Sequence, residues 1–215
     1  MTQKTLTFVR HAQSVSNAGG ITLPHHQIPL TDLGHRQAHA LAGLLAVKSS
    51  SVVVSTMIRT HQTARPFCGY VGIKAVDHQG LDEFSVIDPE MIKGMTGDQR
   101  KPFVKAYWDD PDPHHRLGKE ADTFSEFEDR VGDFMRHMDT LPDQSVIFGH
   151  GTWFGLMLWK MLGYDARTPE AMSTFRRFQQ YMPMPNCAVF SLVHSPGGHW
   201  SVEANPAIPN ALPSA

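Results

Sequence analysis

Polar side chains that could act together follow several segments of sequence that are predicted to be strands. Arg10 and His11 stand side by side where an apolar run ends. Arg59 comes a few residues after a run of valines, and His150 directly follows another buried-looking stretch. A fourth segment, after the third predicted strand, carries Glu83. Because ligands bind beyond the carboxyl ends of the strands in an open α/β sheet, we expect these side chains to converge at that edge.

These residue types predict an anion site with a nucleophile and an acid. Two guanidinium groups, together with backbone N–H groups at helix starts, are typical ligands of a phosphate. A histidine beside fixed positive charge loses affinity for its proton, so its neutral imidazole can act as a nucleophile or base near neutral pH. A nearby carboxylic acid can donate a proton to a leaving oxygen. Phosphoryl transfer through a phosphohistidine would use all of these groups.

The convergence depends on strands that alternate with helices along the chain. β-Branched and apolar runs predict strands at 4–9, 51–55, 72–76, 144–150 and 186–194, with a short strand near 199–204. Helical spacing and capping residues predict helices that begin at Thr31, near Thr56 and at Thr123, with others over 98–108 and 151–162. Pro66 is expected to kink the second helix or to end it early.

This alternation predicts a single α/β domain over residues 1–215. We expect three layers, with a mostly parallel central sheet and helices on both of its faces. The less regular region 77–121 contains proline and glycine, and we interpret it as a small cap insertion over one end of the sheet. Residues 204–215 are expected to form a loose tail.

The composition is that of an ordinary globular protein. Of its 215 residues, 41% are hydrophobic and 19% are charged, and the formal net charge is -2. Such a charge gives no reason to expect nucleic acid or an anionic membrane surface as a partner. No run approaches the roughly 20 apolar residues of a membrane span. Cys68 and Cys187 are too few for a disulfide framework, so we expect a cytoplasmic protein with reduced thiols.

Four segments resemble motifs of the histidine phosphatase superfamily, which includes cofactor-dependent phosphoglycerate mutases. VRHAQSVSN, residues 9–17, is similar to the RHG signature, and LTDLGHRQAHALA, residues 30–42, is similar to the pattern LTxxGxxQAxxLA. VVVSTMIRTHQTA, residues 52–64, resembles xxSxxxRAxQTA, and VIFGHGTW, residues 146–153, resembles the motif of the second histidine. The matches follow the order of the family and cover most of the chain, which makes the resemblance specific.

The resemblance implies a role for the residues that match. His11 would be the nucleophile that is transiently phosphorylated. Arg10, Arg59 and His150 would bind the transferring phosphoryl oxygens and stabilise the charge that develops on them, which places His150 among the catalytic residues as well. Since the arginines and histidines supply the positive charge, the resemblance implies no metal and no cofactor.

Two further residues have a role implied by the resemblance. Asn17 matches an asparagine that contacts the phosphate. Glu83 matches the acid that protonates the leaving group and later activates the attacking water. Asp82 stands next to Glu83, and the sequence leaves open which of the two carries the proton.

Three positions depart from the motifs of the family. Ala12 replaces the glycine of RHG and adds one methyl group. Gly149 stands where a serine is usual, and Asp122 stands where many relatives have a glutamate. The sequence is equally compatible with Asp122 as a helix N-cap and as a substrate contact. The role of the loop 109–121 is likewise open.

The sequence favours hydrolysis of a small phosphorylated metabolite to an alcohol and inorganic phosphate. Mutases of the family hold their substrate with a NERxYG-like segment, whereas the matching region here reads LDEFSVIDPE and is followed by an acidic stretch. One alternative is therefore a phosphoglycerate-mutase-type transfer. Another is a non-enzymatic member that binds a phosphorylated ligand, although His11, Arg59 and His150 are all present. Neither the individual substrate nor the oligomeric state follows from the sequence.

Overall fold

Six strands form one sheet in the computed structural model, which describes residues 3–45, 48–182 and 184–214. The strands are β1 (Lys4–Arg10), β2 (Ser51–Val54), β3 (Ala75–Asp77), β4 (Ser145–Gly149), β5 (Val189–His194) and β6 (Trp200–Asn205). Their order across the sheet is β3-β2-β4-β1-β5-β6. The strands β1 to β4 run parallel, whereas β5 is antiparallel to β1 and β6 is antiparallel to β5. The prediction of a mostly parallel sheet is confirmed.

Helices connect most of these strands in the described part of the chain. They are α1 (Asp32–Leu44), α2 (Ile58–Val71), α3 (Gly97–Asp109), α4 (Phe124–Met138), α5 (Gly151–Met161), α6 (Pro169–Tyr181) and α7 (Ala207–Asn210). Short 3-10 turns lie at His25–Gln27, Gln79–Leu81 and Pro89–Ile92. Within the described ranges, none of the helices has the length and apolar character needed to cross a membrane.

The sheet separates two apolar cores because successive residues of a strand point to opposite faces. On one face, Leu6 and Phe8 of β1 pack with residues of α4 and α5. On the other face, Val9 packs with residues of α1 and α2. All three side chains are fully buried. The chain therefore forms the single three-layered α/β domain that its sequence predicts.

The centre of the sheet brings two strand ends together. β1 lies between β4 and β5, and Arg10 at the end of β1 is in register with Gly149 of β4. The residues that follow are His11 and His150, and the His11 N–H donates to the Gly149 carbonyl over 3.0 Å. Neighbouring strands lie about 4.8 Å apart, so strand pairing alone makes the two histidines neighbours.

Helix α1 fixes the loop that follows β1. It begins after the predicted N-cap Thr31, whose hydroxyl accepts a hydrogen bond from the Gly34 N–H. A Cβ atom at Gly34 would lie 2.0 Å from the carbonyl oxygen of Gln13. The Gln13 N–H in turn donates to the Gln37 side chain over 3.0 Å. Only a glycine at position 34 lets the helix approach the loop this closely.

Helix α2 and strand β3 differ from the elements that the sequence predicts. Helix α2 continues through Pro66 to Val71, so the expectation that it ends early is wrong. Ala64 and Phe67 on either side are buried in the core, so the helix tolerates the missing backbone donor. The helix ends at Gly72, which has a left-handed φ of 72°. Strand β3 consequently begins at Ala75, whereas the predicted strand starts at residue 72.

Helix α6 has no counterpart in the sequence analysis. Its start carries clear signals, since the Thr168 hydroxyl accepts from the Ala171 N–H and Pro169 occupies the first turn. Its fully buried residues are Met172 and Phe175, and Phe178 packs against the same core, so the helix also has an apolar stripe at helical spacing.

The cap and the tail contain regular structure. The region 77–121 includes two 3-10 turns and α3, close to the predicted helix over 98–108. The range 204–215, expected to be loose, contains α7 and the buried Leu212. The Pro213 carbonyl accepts a hydrogen bond from Gln37 on α1 over 3.0 Å, so this end of the described chain packs against the domain.

We predict that Gly34→Ala destabilises the protein, whereas Gly43→Ala in the same helix does not. The added methyl group at Gly34 would overlap the Gln13 carbonyl, and such overpacking costs about 1–3 kcal/mol or more. A Cβ atom at Gly43 meets no atom within 4 Å, and alanine there favours the helix by up to about 1 kcal/mol. Urea unfolding measures both changes. Equal effects of the two substitutions would contradict the close contact at Gly34.

Candidate active site

A pocket of about 350 Å³ lies at the carboxyl edge of the sheet, and we call it the catalytic pocket. Five of the six residues singled out from the sequence line it, namely Arg10, His11, Asn17, Arg59 and Glu83. The sixth, His150, is wholly buried, with its ring centroid 5.2 Å from that of His11. The fold therefore brings together all the residues that the sequence proposed for the site.

The His11 imidazole is held in one tautomer. Its Nδ1 atom lies 2.7 Å from the backbone carbonyl oxygen of Ala12. Because a carbonyl oxygen only accepts hydrogen bonds, Nδ1 carries the proton and Nε2 keeps its lone pair. The Ala12 N–H donates to the Thr63 hydroxyl over 3.0 Å, which fixes the peptide that orients the ring. Nε2 is thus the nitrogen that can act as a nucleophile.

Two guanidinium groups line the catalytic pocket, and each is anchored through only part of its donors. Arg59 donates to the His25 carbonyl over 2.9 Å, and its other terminal nitrogen lies 2.8 Å from the Met57 sulfur. Arg10 donates to the Met184 carbonyl. The Nε atom of Arg10 is buried and has no hydrogen-bond partner among the described residues. The donors left over can bind the oxygens of an anion.

The His150 ring is fixed from its other side. Its Nε2 atom lies 2.7 Å from the hydroxyl of Ser55, which lies 3.0 Å from the Thr60 hydroxyl. Its Nδ1 atom is buried with no hydrogen-bond partner in the described part of the chain. Buried polar atoms in a core are nearly always paired, so the unpaired nitrogen is typical of a functional site rather than of core packing.

Burial and neighbouring charge keep both imidazoles neutral. Burial lowers the pKa of His11 well below its usual value, and the charges of Arg59 and Arg10 lower it further. Burial likewise lowers the pKa of His150 well below its usual value, and Arg59 is again the leading charge. Burial lowers the pKa of Arg59 to about 10, so its guanidinium remains charged at neutral pH. An uncharged imidazole therefore lies beside charged guanidinium groups.

The structure distinguishes the two adjacent carboxylates. Glu83 lines the catalytic pocket and accepts hydrogen bonds from the N–H groups of Thr152 and Trp153, at 3.0 and 2.9 Å, in the first turn of α5. Asp82 is 5% exposed and accepts from the N–H and the hydroxyl of Thr56, both at 2.8 Å. Asp82 is therefore engaged in holding the chain after β2, and Glu83 is the carboxylate beside His11.

Asn17 is oriented by a network that involves Asn186. Its side-chain oxygen accepts from the N–H of Ser14 over 3.2 Å and from the Asn186 amide over 3.0 Å. The Asn186 amide also lies 3.1 Å from the His11 carbonyl oxygen. With the oxygen of Asn17 occupied, its NH2 group is the part that can face a ligand. Asn186 therefore links the loop after β1 to the segment before β5.

The structure accounts for the three departures from the family motifs. Ala12 is fully buried in the core, so its methyl group is accommodated. A Cβ atom at Gly149 would lie 2.8 Å from the ring of Phe8, which excludes a serine there unless the ring moves. Asp122 pairs with Arg130 at 2.8 Å and accepts from the N–H of Ser85. Asp122 is not the N-cap that the sequence allowed, because Thr123 occupies that position.

Several residues of the site were missed or left unassigned by sequence reasoning. Ser55, Thr63 and Asn186 orient the residues that were found. The wall of the pocket is completed by residues from distant segments, among them His25, Gln179, Met182 and Met184. Gln179 belongs to α6, the helix without a sequence prediction. Ser55 and Thr63 lie in the motif segment 52–64, but their contacts, like the position of Asn186, depend on tertiary packing.

Relatives of this chain are found both among sequences and among solved structures. It is 27% identical over 163 residues to "Probable phosphoglycerate mutase GpmB" of Yersinia enterocolitica, covering 72% of this chain and 73% of the relative. Its fold is similar to that of a mycobacterial glucosyl-3-phosphoglycerate phosphatase, with a TM-score of 0.71, 18% identity and coverage of 94% and 98%. It is also similar to a phosphoserine phosphatase of Entamoeba histolytica in complex with 3-phosphoglyceric acid, with a TM-score of 0.69, 16% identity and coverage of 94% and 96%.

A family model agrees with these likenesses over nearly the whole chain. The model, described as histidine phosphatase superfamily (branch 1), matches residues 6–205. This range includes all four motif segments and every strand beyond the first residues of β1. The chain therefore belongs to the histidine phosphatase superfamily, as its motifs predicted.

Proposed function

We propose that this protein is a phosphatase that hydrolyses a small phosphomonoester through a phosphohistidine on His11. The observation that carries the proposal is the tautomer of His11, whose Nδ1 is bound to the Ala12 carbonyl and whose Nε2 keeps a lone pair. Arg10 and Arg59 line the same pocket and supply positive charge for the phosphoryl oxygens. The phosphatases among the proteins that share the fold add support for hydrolysis.

In the first half of the proposed reaction, Nε2 of His11 attacks the phosphorus atom. The bond from phosphorus to the leaving oxygen breaks as Glu83 donates a proton to that oxygen, so the alcohol leaves as a neutral molecule. Arg10 and Arg59 bind the phosphoryl oxygens, and His150 adds a further contact. Because the guanidinium groups supply the charge, this step needs neither a metal ion nor a cofactor.

In the second half, a water molecule attacks the phosphorus atom and the bond to Nε2 of His11 breaks. Glu83 accepts a proton from the water, which returns the carboxyl group to its starting state and releases inorganic phosphate. We assign this role to Glu83 because it lines the catalytic pocket together with His11 and Arg59, whereas Asp82 does not line that pocket. Asn17, with its NH2 group directed by the Asn186 contact, is proposed as an additional phosphate ligand.

A phosphoglycerate-mutase-type transfer is the second candidate, because one relative is named a probable phosphoglycerate mutase. A mutase returns the phosphoryl group to the bound product before water can attack. Incubation with 3-phosphoglycerate, followed by phosphorus NMR, distinguishes the two reactions. Release of inorganic phosphate supports the hydrolase, and accumulation of an isomerised phosphate ester would overturn it.

We predict that His11→Ala reduces turnover of an aryl phosphate to below about a thousandth of the parent rate, because the nucleophile is lost. With a labelled substrate and rapid alkaline quenching, the parent protein should carry an acid-labile phosphoryl group and His11→Ala should carry none. His39→Ala removes an exposed histidine of α1 and is the matched control, which should keep both turnover and labelling. Labelling or parental turnover in His11→Ala would exclude His11 as the nucleophile.

We predict that Glu83→Gln slows hydrolysis in proportion to the basicity of the leaving group. An alkoxide needs a proton as it departs, whereas a nitrophenolate leaves without one, so alkyl phosphates should lose at least about a hundredfold and nitrophenyl phosphate much less. Steady-state kcat/KM across a series of aryl and alkyl phosphates gives the slope. Asp82→Asn is the control and should leave that slope unchanged. A slope that changes in Asp82→Asn but not in Glu83→Gln would reverse the assignment.

A further inference from the structure

A second and larger cavity, of about 1250 Å³, adjoins the catalytic pocket. The two cavities share Ser16 and Asn17, so a bound molecule can extend from one into the other. Residues of α3, of α6 and of the loop after β1 line the larger cavity, which we call the α3–α6 cleft. The Gly97 N–H at the start of α3 donates to the Gly19 carbonyl over 2.8 Å, which joins that helix to the loop.

The α3–α6 cleft is basic, although the whole chain has a formal net charge of -2. Two of its lysines are neutralised within α3, where Lys101 pairs with Asp98. Lys105 pairs in the same way with Asp109. The Arg100 guanidinium donates to two backbone carbonyls and one hydroxyl of adjoining segments. Among the described residues that line the cleft, Arg100 on α3 and Arg176 and Arg177 on α6 are the cations with no carboxylate partner.

Arg176 on α6 is held in a defined position. Its guanidinium carbon lies 4.8 Å from the ring centroid of Trp108 on α3, and one of its nitrogens donates to the Gln179 side chain. Its Nε atom is buried with no hydrogen-bond partner among the residues that the structure describes. A guanidinium that is already ordered, with donors unused, can bind an anion at a low cost in side-chain entropy.

Both walls of the cleft continue into the catalytic pocket. Gln179, which contacts Arg176, lines that pocket. Arg176 lies three residues before Gln179 on α6, which corresponds to about 4.5 Å along the helix axis, or roughly one helical turn. On the other wall, Trp108 contacts Phe84 with ring centroids 6.1 Å apart, and Phe84 also lines the pocket. A substrate that extends out of the catalytic pocket would meet the Arg176 guanidinium.

We propose that the α3–α6 cleft binds the far end of an extended phosphomonoester substrate, with Arg176 binding a second anionic group on it. The proposal rests on the phosphatase function and adds a substrate class, in which the alcohol is several atoms long and carries a carboxylate or a second phosphate. The cleft, at 1250 Å³ against 350 Å³ for the pocket, has room for such a ligand. Arg177, exposed beside Arg176, adds longer-range attraction.

Phosphonates that cannot be hydrolysed test the cleft by calorimetry, independently of turnover. On the parent protein, we expect 6-phosphonohexanoate to bind about fivefold to tenfold more tightly than hexylphosphonate, a gain typical of one charge-assisted contact. Arg176→Gln should remove most of that gain. It should leave binding of 3-phosphonopropanoate and propylphosphonate unchanged, because the shorter carboxylate does not reach Arg176.

Arg136→Gln is the matched control, because Arg136 lies exposed on α4 and pairs with Asp133 of the same helix. It should leave all four affinities unchanged. Arg177→Gln should reduce the six-carbon gain by a smaller factor, and it serves as the test if Arg176→Gln does not fold. Equal affinities of the two six-carbon phosphonates for the parent would overturn the proposal. Turnover of an aryl phosphate is measured separately, so charge-dependent binding without turnover would overturn the phosphatase function and leave the cleft assignment standing.

Discussion

The proposed reaction requires two imidazoles that stay neutral beside two guanidinium groups that stay charged, and one environment achieves both. Burial disfavours the charged form of any group. The ordinary pKa of a guanidinium is so high that even the lowered value of about 10 for Arg59 leaves it charged at neutral pH. The ordinary pKa of an imidazole, about 6.5, gives no such margin, so the same burial discharges His11 and His150. Burial in this pocket thus leaves the guanidinium groups charged and the imidazoles neutral.

The hydrogen-bond partners of His11 and His150 carry no charge. The ring nitrogens of His11 and His150 are bound by a backbone carbonyl and by a hydroxyl, respectively. A carboxylate in either place would favour protonation of the imidazole and remove its lone pair. The carboxyl group of the site, Glu83, instead accepts hydrogen bonds from backbone N–H groups at the start of α5. Glu83 and His11 therefore line one pocket while each is held by a backbone partner.

Sequence reasoning captured whatever follows from strand ends and motif spacing. Arg10 and His11 could be placed because they follow a predicted strand and because four motif segments occur in the order of the family. It could not choose between Asp82 and Glu83, because adjacent carboxylates differ only in which side of the chain they face, and that depends on Thr56 and on α5. Asn186 was missed because contacts with residues far away in sequence determine its role, whereas α6 was missed although Thr168 and Pro169 mark its start.

The proposed catalytic histidines lie at the ends of strands, whereas the proposed substrate contacts lie on helices α3 and α6. His11 and His150 follow paired strands at the centre of the sheet, so a change in their separation would break the register of β1 with β4. Arg176 and Trp108 lie on helices whose outer faces make few buried contacts, and α6 buries only Met172 and Phe175. Side chains on such helices can be exchanged without moving the strands. This separation lets a chain with 18% identity to a solved phosphatase share its fold over 94% of its length.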